Sequence, residues 1–210
     1  MKTLYKNLTV YSENDEIKAD ILVDGDTIAE VAENIDCDAD LVYDCSGLSA
    51  FPALCDIHVH FRDPGFTYKE DVVSGCHAAA AGGFTAVACM PNTKPVCDSV
   101  EIADYIMKKA EPTGVKVYPV CAVTKGMNGA EAADYDEYVK AGIKMISDDG
   151  RPVENAEMMR SALEKTNENG LLVASHCEDL AIINGGIMNK GKISEKLGVK
   201  GMDRASEDSI

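Results

Sequence analysis

His58-Val59-His60-Phe61-Arg62-Asp63-Pro64-Gly65 is the stretch of this chain whose residue types and spacing can do chemistry. It sets two imidazoles at i and i+2, a guanidinium two residues later, and a Pro-Gly turn behind them. The apolar run Phe51-Pro52-Ala53-Leu54-Cys55-Asp56-Ile57 leads into it, so the pair reads as the end of a buried strand. In a strand, side chains at i and i+2 share a face. Two neutral imidazoles on one face, where strand gives way to loop, make a half-site for a divalent metal such as zinc. Two ordinary strand histidines would carry the same spacing, so the rest of the chain must decide.

The elements that would position this pair repeat a strand, turn and helix pattern from Phe51 onward. The strands read as Phe51 to Phe61, Thr85 to Met90, Val115 to Val123, Ile143 to Ser147 and Leu171 to Ser175. Between them, Thr67 with Glu70 and Asp98 with Glu101 have the spacing of reciprocal helix caps. Gly82-Gly83 and Gly114 then stop helices before the next strand. Strands alternating with helices imply a parallel sheet with right-handed crossovers, either open and doubly wound or closed as a (β/α)8 barrel. The unusual polar residues favour the barrel. His58 and His60, Asn92, Asp148 and Asp149, and His176 all fall at carboxyl ends of strands, and a barrel gathers every such end around one mouth. Residues 1–50 differ in texture: Leu4 to Val10, Ile17 to Val23 and Thr27 to Val31 alternate between the turn-forming Asn14-Asp15 and Asp24-Gly25-Asp26. The expected architecture is α/β: a small β-sandwich-like unit over 1–50, then a TIM-type barrel domain over 51–210.

Composition narrows the function classes. With 210 residues and 46% hydrophobic content the chain can bury a core. A net charge of -16 opposes a nucleic-acid partner, because a phosphate backbone would meet a repulsive field. No apolar stretch approaches the roughly 18 residues of a membrane span, and the N-terminus has no signal-peptide run. The eight cysteines contain no Cys-x-x-Cys pair and read as small, reduced core residues. The default expectations are a cytoplasmic protein, a small-molecule substrate and room for a homo-oligomer.

Three histidines and a carboxylate at strand ends suit a two-metal hydrolytic site, in which an oxygen ligand bridges the ions and a shared water is acidified. Asp148 and Asp149 are the available bridging oxygens, although Asp-Asp-Gly is also a common turn sequence. His77 lies in helical sequence well after the metal strand and reads as a packed or surface residue. Glu178 and Asp179 are placed either to orient His176 or to favour the start of the next helix.

Four segments together, His58 to Gly65, Met90-Pro91-Asn92-Thr93-Lys94-Pro95, Ser147-Asp148-Asp149-Gly150 and His176-Cys177-Glu178-Asp179, resemble the bacterial class I dihydroorotases of the amidohydrolase superfamily. Hydantoinases, dihydropyrimidinases and allantoinases share the His-x-His, but the Arg-Asp-Pro-Gly and Met-Pro-Asn-Thr segments resemble dihydroorotase more. The resemblance implies His58 and His60 as ligands of one zinc, His176 of a second, and Asp149 as the bridge. A carboxylated Lys144 is the alternative bridge. It implies Arg62 and Asn92 as the residues that hold a substrate carboxylate, a task that suits a guanidinium and an amide. Structural roles for Arg62, in an ion pair with Asp56 or Asp63, and for Asn92, as a loop cap, are the alternatives.

The implied activity is the reversible hydrolysis and cyclisation between dihydroorotate and N-carbamoyl-L-aspartate in pyrimidine synthesis. A barrel takes about 250 residues, so this one is expected to be incomplete and inactive alone. Another histidine ligand and a general-base aspartate would come from later strands, beyond residue 210. The other readings are a hydantoinase-like or dihydropyrimidinase-like cyclic amidohydrolase, and a non-catalytic companion protein that keeps the fold as a binding surface.

Overall fold

The computed structural model describes residues 1–209. The chain divides into two compact units, one spanning Met1–Ala53 and the other beginning at Leu54.

In the first unit, β1 (Lys2–Tyr11), β2 (Glu16–Asp24), β3 (Thr27–Ala32), β4 (Leu41–Asp44) and β5 (Ser49–Ala50) follow the expected alternation and turns. They form one five-stranded sheet of order β3-β2-β1-β4, with β5 also on β1. The expectation of a sandwich-like unit is therefore corrected to a single mixed sheet among the described residues. Only a small apolar set closes on it: Leu4, Leu22 and Ile35 are buried together, while most of β3 is exposed. The buried Asp20 stiffens the sheet by accepting from the backbone N–H of Asn7 at 2.9 Å and of Ile35 at 3.1 Å.

The second unit contains β6 (Leu54–Val59), α1 (Val72–Ala81), β7 (Phe84–Cys89), α2 (Val100–Ala110), β8 (Lys116–Pro119), α3 (Tyr135–Lys140), β9 (Met145–Ile146), α4 (Ala156–Asn169), β10 (Leu172–Val173) and α5 (Leu180–Ile183). β6, β7 and β8 pair in parallel, and so do β9 and β10. A parallel bridge between Cys121 and Ile146 continues the ladder from β8 to β9. Each strand thus lies beside its neighbour in sequence, the order a (β/α)8 barrel requires, whereas a doubly wound sheet reverses direction partway. Val72, Cys76, Val87, Ala103, Ile106, Val117 and Ile146 are buried between this sheet and its helices. Among the described residues, the outer strands β6 and β10 are each paired on one side only, and Ile57 and Leu172 on them are 65% and 62% exposed.

Two helix starts differ from the sequence reading. Thr67 and Glu70 form no cap; α1 begins later, where the Asp71 carboxylate accepts from the N–H of Val73 at 2.8 Å and Ser74 at 3.0 Å. An aspartate two and three residues ahead of those orphan N–H groups satisfies both with one side chain, so it outcompetes the threonine. At α2 the cap position is Ser99, and Asp98 instead accepts from Gly126 N–H at 2.8 Å. Gly83 and Gly114 end their elements at φ +82° and +76°, as glycine permits. Of the cysteines, Cys45, Cys76, Cys89, Cys97 and Cys121 are buried, but Cys55 and Cys177 are exposed, and none is disulfide-bonded.

Phe61, the residue between His60 and Arg62, is held by close packing. A Cβ on Gly75 of α1 would overlap its ring, and Phe61 is itself buried. Gly75→Ala is expected to destabilise the protein by about 1–3 kcal/mol through overpacking, measured by urea unfolding; a neutral substitution would mean that the α1–Phe61 contact does not constrain this segment.

Candidate metal centre

β6 ends at Val59, so His58 occupies its last turn of pleat and His60 the first loop position. Their rings meet edge to face with centroids 5.2 Å apart, as same-face neighbours should. The loop after β9 brings Asp149 to them. Its Oδ1 lies 3.3 Å from His58 Nε2, and its Oδ2 lies 3.3 Å from His60 Nε2. From the end of β10, His176 places Nδ1 3.4 Å from the same Oδ1. Donor atoms of His58, His60 and Asp149 all fall within 4.8 Å of one another; His176 joins through Asp149.

These separations identify what the cluster can hold. They exceed the usual hydrogen-bond length of about 2.7–3.2 Å. Ligand atoms about 2.0–2.1 Å from a tetrahedral zinc stand roughly 3.3 Å from each other, so the donor set fits a borderline-soft divalent cation. Neutral imidazole nitrogens and a carboxylate are also the right ligand chemistry for it.

The two neighbouring aspartates have separate duties. Asp148 is buried and turns away from the histidines: its carboxylate accepts from Val123 N–H at 2.7 Å, Thr124 N–H at 3.1 Å and the Thr124 hydroxyl. Burial pushes this carboxyl above its usual range, outweighing the three donors that pull it down. Asp148 thereby ties the segment after β8 to the end of β9, and the turn through Gly150, at φ +89°, is closed by Arg151 N–H donating to Asp148 O at 2.8 Å. That anchored turn presents Asp149. The Lys144 side chain is exposed, and among the described residues no hydrogen bond links it to the cluster.

Asn92, from the loop after β7, sits against the centre. Its Oδ1 is 3.0 Å from His60 Nδ1, and its Nδ2 is 3.4 Å from both the backbone O and Oδ2 of Asp149. Glu178 and Asp179 divide the two roles open to them. Glu178 Oε2 lies 3.0 Å from His176 Nε2, whereas Asp179 caps α5 through the N–H groups of Ala181 and Ile182. His77 is exposed on α1, away from these contacts.

Arg62 is half-buried with φ +61°, and among the described residues its guanidinium makes no ion pair. Both carboxylates open to it are otherwise engaged. Asp56 accepts from His58 N–H at 3.0 Å. Asp63, 1% exposed, is gripped by Lys109 Nζ at 2.5 Å, the Tyr105 hydroxyl at 3.0 Å and Val72 N–H at 3.3 Å. This grip on Asp63, missed in the sequence, fastens the loop carrying Arg62 to α1 and α2. The hydrogen bond to Asp63 raises the Lys109 pKa above its usual value.

Comparison with known proteins gives the same direction. The family model described as dihydro-orotase-like matches residues 48–209. A dihydroorotase from Geotalea daltonii is 49% identical over 199 residues, 94% of this chain and 47% of that protein. One from Geobacter sulfurreducens is 48% identical over 90% of this chain and 45% of its own length. The chain thus spans about half the length of the curated relatives it matches. Among solved structures, an L-hydantoinase (dihydropyrimidinase) from Arthrobacter aurescens superposes with TM-score 0.71 at 20% identity, over 87% of this chain and 42% of that one. A dihydropyrimidinase from Brevibacillus agri gives 0.66 at 20% identity, over 88% and 42%. At such identity the structural likeness establishes the fold.

Asp149→Ala is expected to lose zinc while staying folded. Asp148→Ala should cost about 1–3 kcal/mol for each N–H it orphans and keep zinc in the folded fraction; metal analysis beside denaturant titration separates the two, and the opposite pattern would move the ligand by one residue. For Lys109 the raised pKa fixes a sign. The stability it adds is complete below its ordinary value of 10.5 and is lost as pH rises through the higher folded value. The stability gap between the protein and Lys109→Met should therefore hold steady up to that pH and shrink above it, whereas a gap that shrinks between neutrality and pH 10.5 would contradict the pairing.

Proposed function

The chain belongs to the dihydro-orotase-like family, and from that premise we propose that it carries the metal-binding strand ends and the carboxylate clamp of a zinc-dependent dihydroorotase. The reaction is the reversible opening of the dihydroorotate ring amide to N-carbamoyl-L-aspartate. Residues 1–50 are read as a separate small domain and the five strands from β6 to β10 as the first part of a (β/α)8 barrel, in a cytoplasmic enzyme. The single observation that carries the reading is one carboxylate, Asp149 after β9, facing three imidazoles at 3.3–3.4 Å, two from the end of β6 and one from the loop after β10.

His58, His60, Asp149 and His176 are the residues that would hold the metal, with Asp149 the carboxylate common to the three histidines. Bound there, a divalent cation supplies Lewis acidity, lowering the pKa of water and polarising an amide carbonyl. The protein's own part is placement. Arg62 offers paired charge-assisted hydrogen bonds to the ring carboxylate, and the Asn92 amide, which lies against Asp149, is the second group assigned to it. Fixing the carboxylate sets which ring amide meets the cluster, which is how a binding group away from the reacting bond contributes to rate. It also distinguishes dihydroorotate from hydantoin, which has no carboxylate. Proton transfer to the leaving nitrogen needs a further general acid, a role the reading assigns to no residue described.

In a polypeptide that extends this sequence to the length of its relatives, dihydroorotate should be turned over in preference to hydantoin. Arg62→Met should raise KM for dihydroorotate by about 10- to 150-fold, the equivalent of losing about 1.5–3 kcal/mol of charged hydrogen bonding, with little change in Tm. Preference for hydantoin, or a large fall in Tm without the KM change, would overturn the assignment.

A further inference from the structure

His60 and His176 turn different ring nitrogens toward Asp149: Nε2 from His60, Nδ1 from His176. A neutral imidazole has one N–H and one lone pair, and only the lone pair can bind a cation. Asp149 is an acceptor too, so the hydrogen goes to the nitrogen with the hydrogen-bond-length contact: 3.0 Å to the outer partner in both rings, against 3.3–3.4 Å to Asp149.

For His60 the other side meets Asn92 Oδ1 at 3.0 Å. The orientation of that amide is set by its second end, because Nδ2 faces two oxygens of Asp149. Flipping the amide would press its oxygen against those oxygens. Asn92 Oδ1 is therefore an acceptor, His60 carries its hydrogen on Nδ1, and the Nε2 lone pair is aimed at the centre. For His176 the other side meets Glu178 Oε2 at 3.0 Å. A carboxylate only accepts, so His176 carries its hydrogen on Nε2 and aims the Nδ1 lone pair. Among the described residues, His58 has no such side-chain partner.

We propose that Asn92 and Glu178 are positioning residues that lock His60 and His176 into opposite tautomers, so that both lone pairs already converge on Asp149 before metal arrives. The inference rests on the reading of this cluster as a metal centre, and it gives Asn92 a duty besides any contact with substrate. The two devices are independent: each acts on one ring, from a different loop, through a different acceptor. Pre-set tautomers remove a rearrangement that binding would otherwise have to drive, and outer partners of this kind affect metal affinity by roughly 10- to 100-fold.

The test needs no turnover. Heteronuclear NMR of the metal-free 210-residue chain in mildly alkaline buffer reads which imidazole nitrogen bears hydrogen, and competition with a chromogenic chelator reads zinc affinity. In the unaltered chain His60 should be the Nδ1–H form and His176 the Nε2–H form. Asn92→Ala should release only His60 and Glu178→Leu only His176, each weakening zinc by roughly 10- to 100-fold. Glu178→Gln, which keeps an acceptor oxygen, should recover affinity to within a few-fold. Reversed tautomers in the unaltered chain would overturn the proposal even if every variant failed to fold. So would tight zinc binding with tautomers and affinity unmoved by either substitution, a result that leaves the metal centre standing. The stated tautomers in a chain that takes up no zinc would uphold the positioning and overturn the metal reading.

Discussion

The architecture around the centre depends on one carboxylate facing three imidazoles. Each imidazole stands 3.3–3.4 Å from an oxygen of Asp149, a separation long for a hydrogen bond and close to that between two ligand atoms of one zinc. What makes the arrangement possible is the sequential parallel order of β6 to β10. It sets carboxyl ends side by side, so residues 58, 92, 149 and 176 can meet although the sequence keeps them far apart.

Around that centre the protein devotes buried polar groups to holding backbone. Asp148 fixes the turn that presents Asp149 by accepting three hydrogen bonds from Val123 and Thr124. Asp63 fixes the loop that presents Arg62 by accepting from Lys109, Tyr105 and Val72. In both cases a charged residue with no place in the chemistry sits next to one with a proposed place in it. The neighbour absorbs the anchoring, which leaves Arg62 without an ion pair among the described residues and turns Asp149 toward the histidines. This accounts for a guanidinium without a carboxylate partner in a chain that carries 36 acidic residues.

Much of this was legible in the sequence, for identifiable reasons. Alternation and glycine placement located the strands of both units, because period-two burial and positive φ leave marks on residue type. The strand-end position of His58, His60, Asp149 and His176 followed from those strands. Helix starts were less legible, since Thr67 with Glu70 and Asp71 with Ser74 compete for the same turn and only three-dimensional geometry awards it to Asp71. The single sheet of the first unit was misjudged because exposed strands alternate as regularly as half-buried ones. The anchoring of Asp63 by Lys109 and Tyr105 was out of reach, because it joins positions on separate elements that no local pattern relates. Asn92 is the subtler case: its residue type suits substrate contact, and only its two-ended geometry reveals the hold on His60.

The central claim is that strand-end imidazoles and Asp149, rather than any of the eight thiols, form the metal centre. Exposed Cys55 and Cys177 are the natural competitors, since thiolates are strong zinc ligands. X-ray absorption at the zinc edge of the zinc-loaded chain discriminates directly. The account predicts a first shell of nitrogen and oxygen only, at about 2.0–2.1 Å, with the outer scattering of imidazole. A sulfur shell at about 2.3 Å would contradict it.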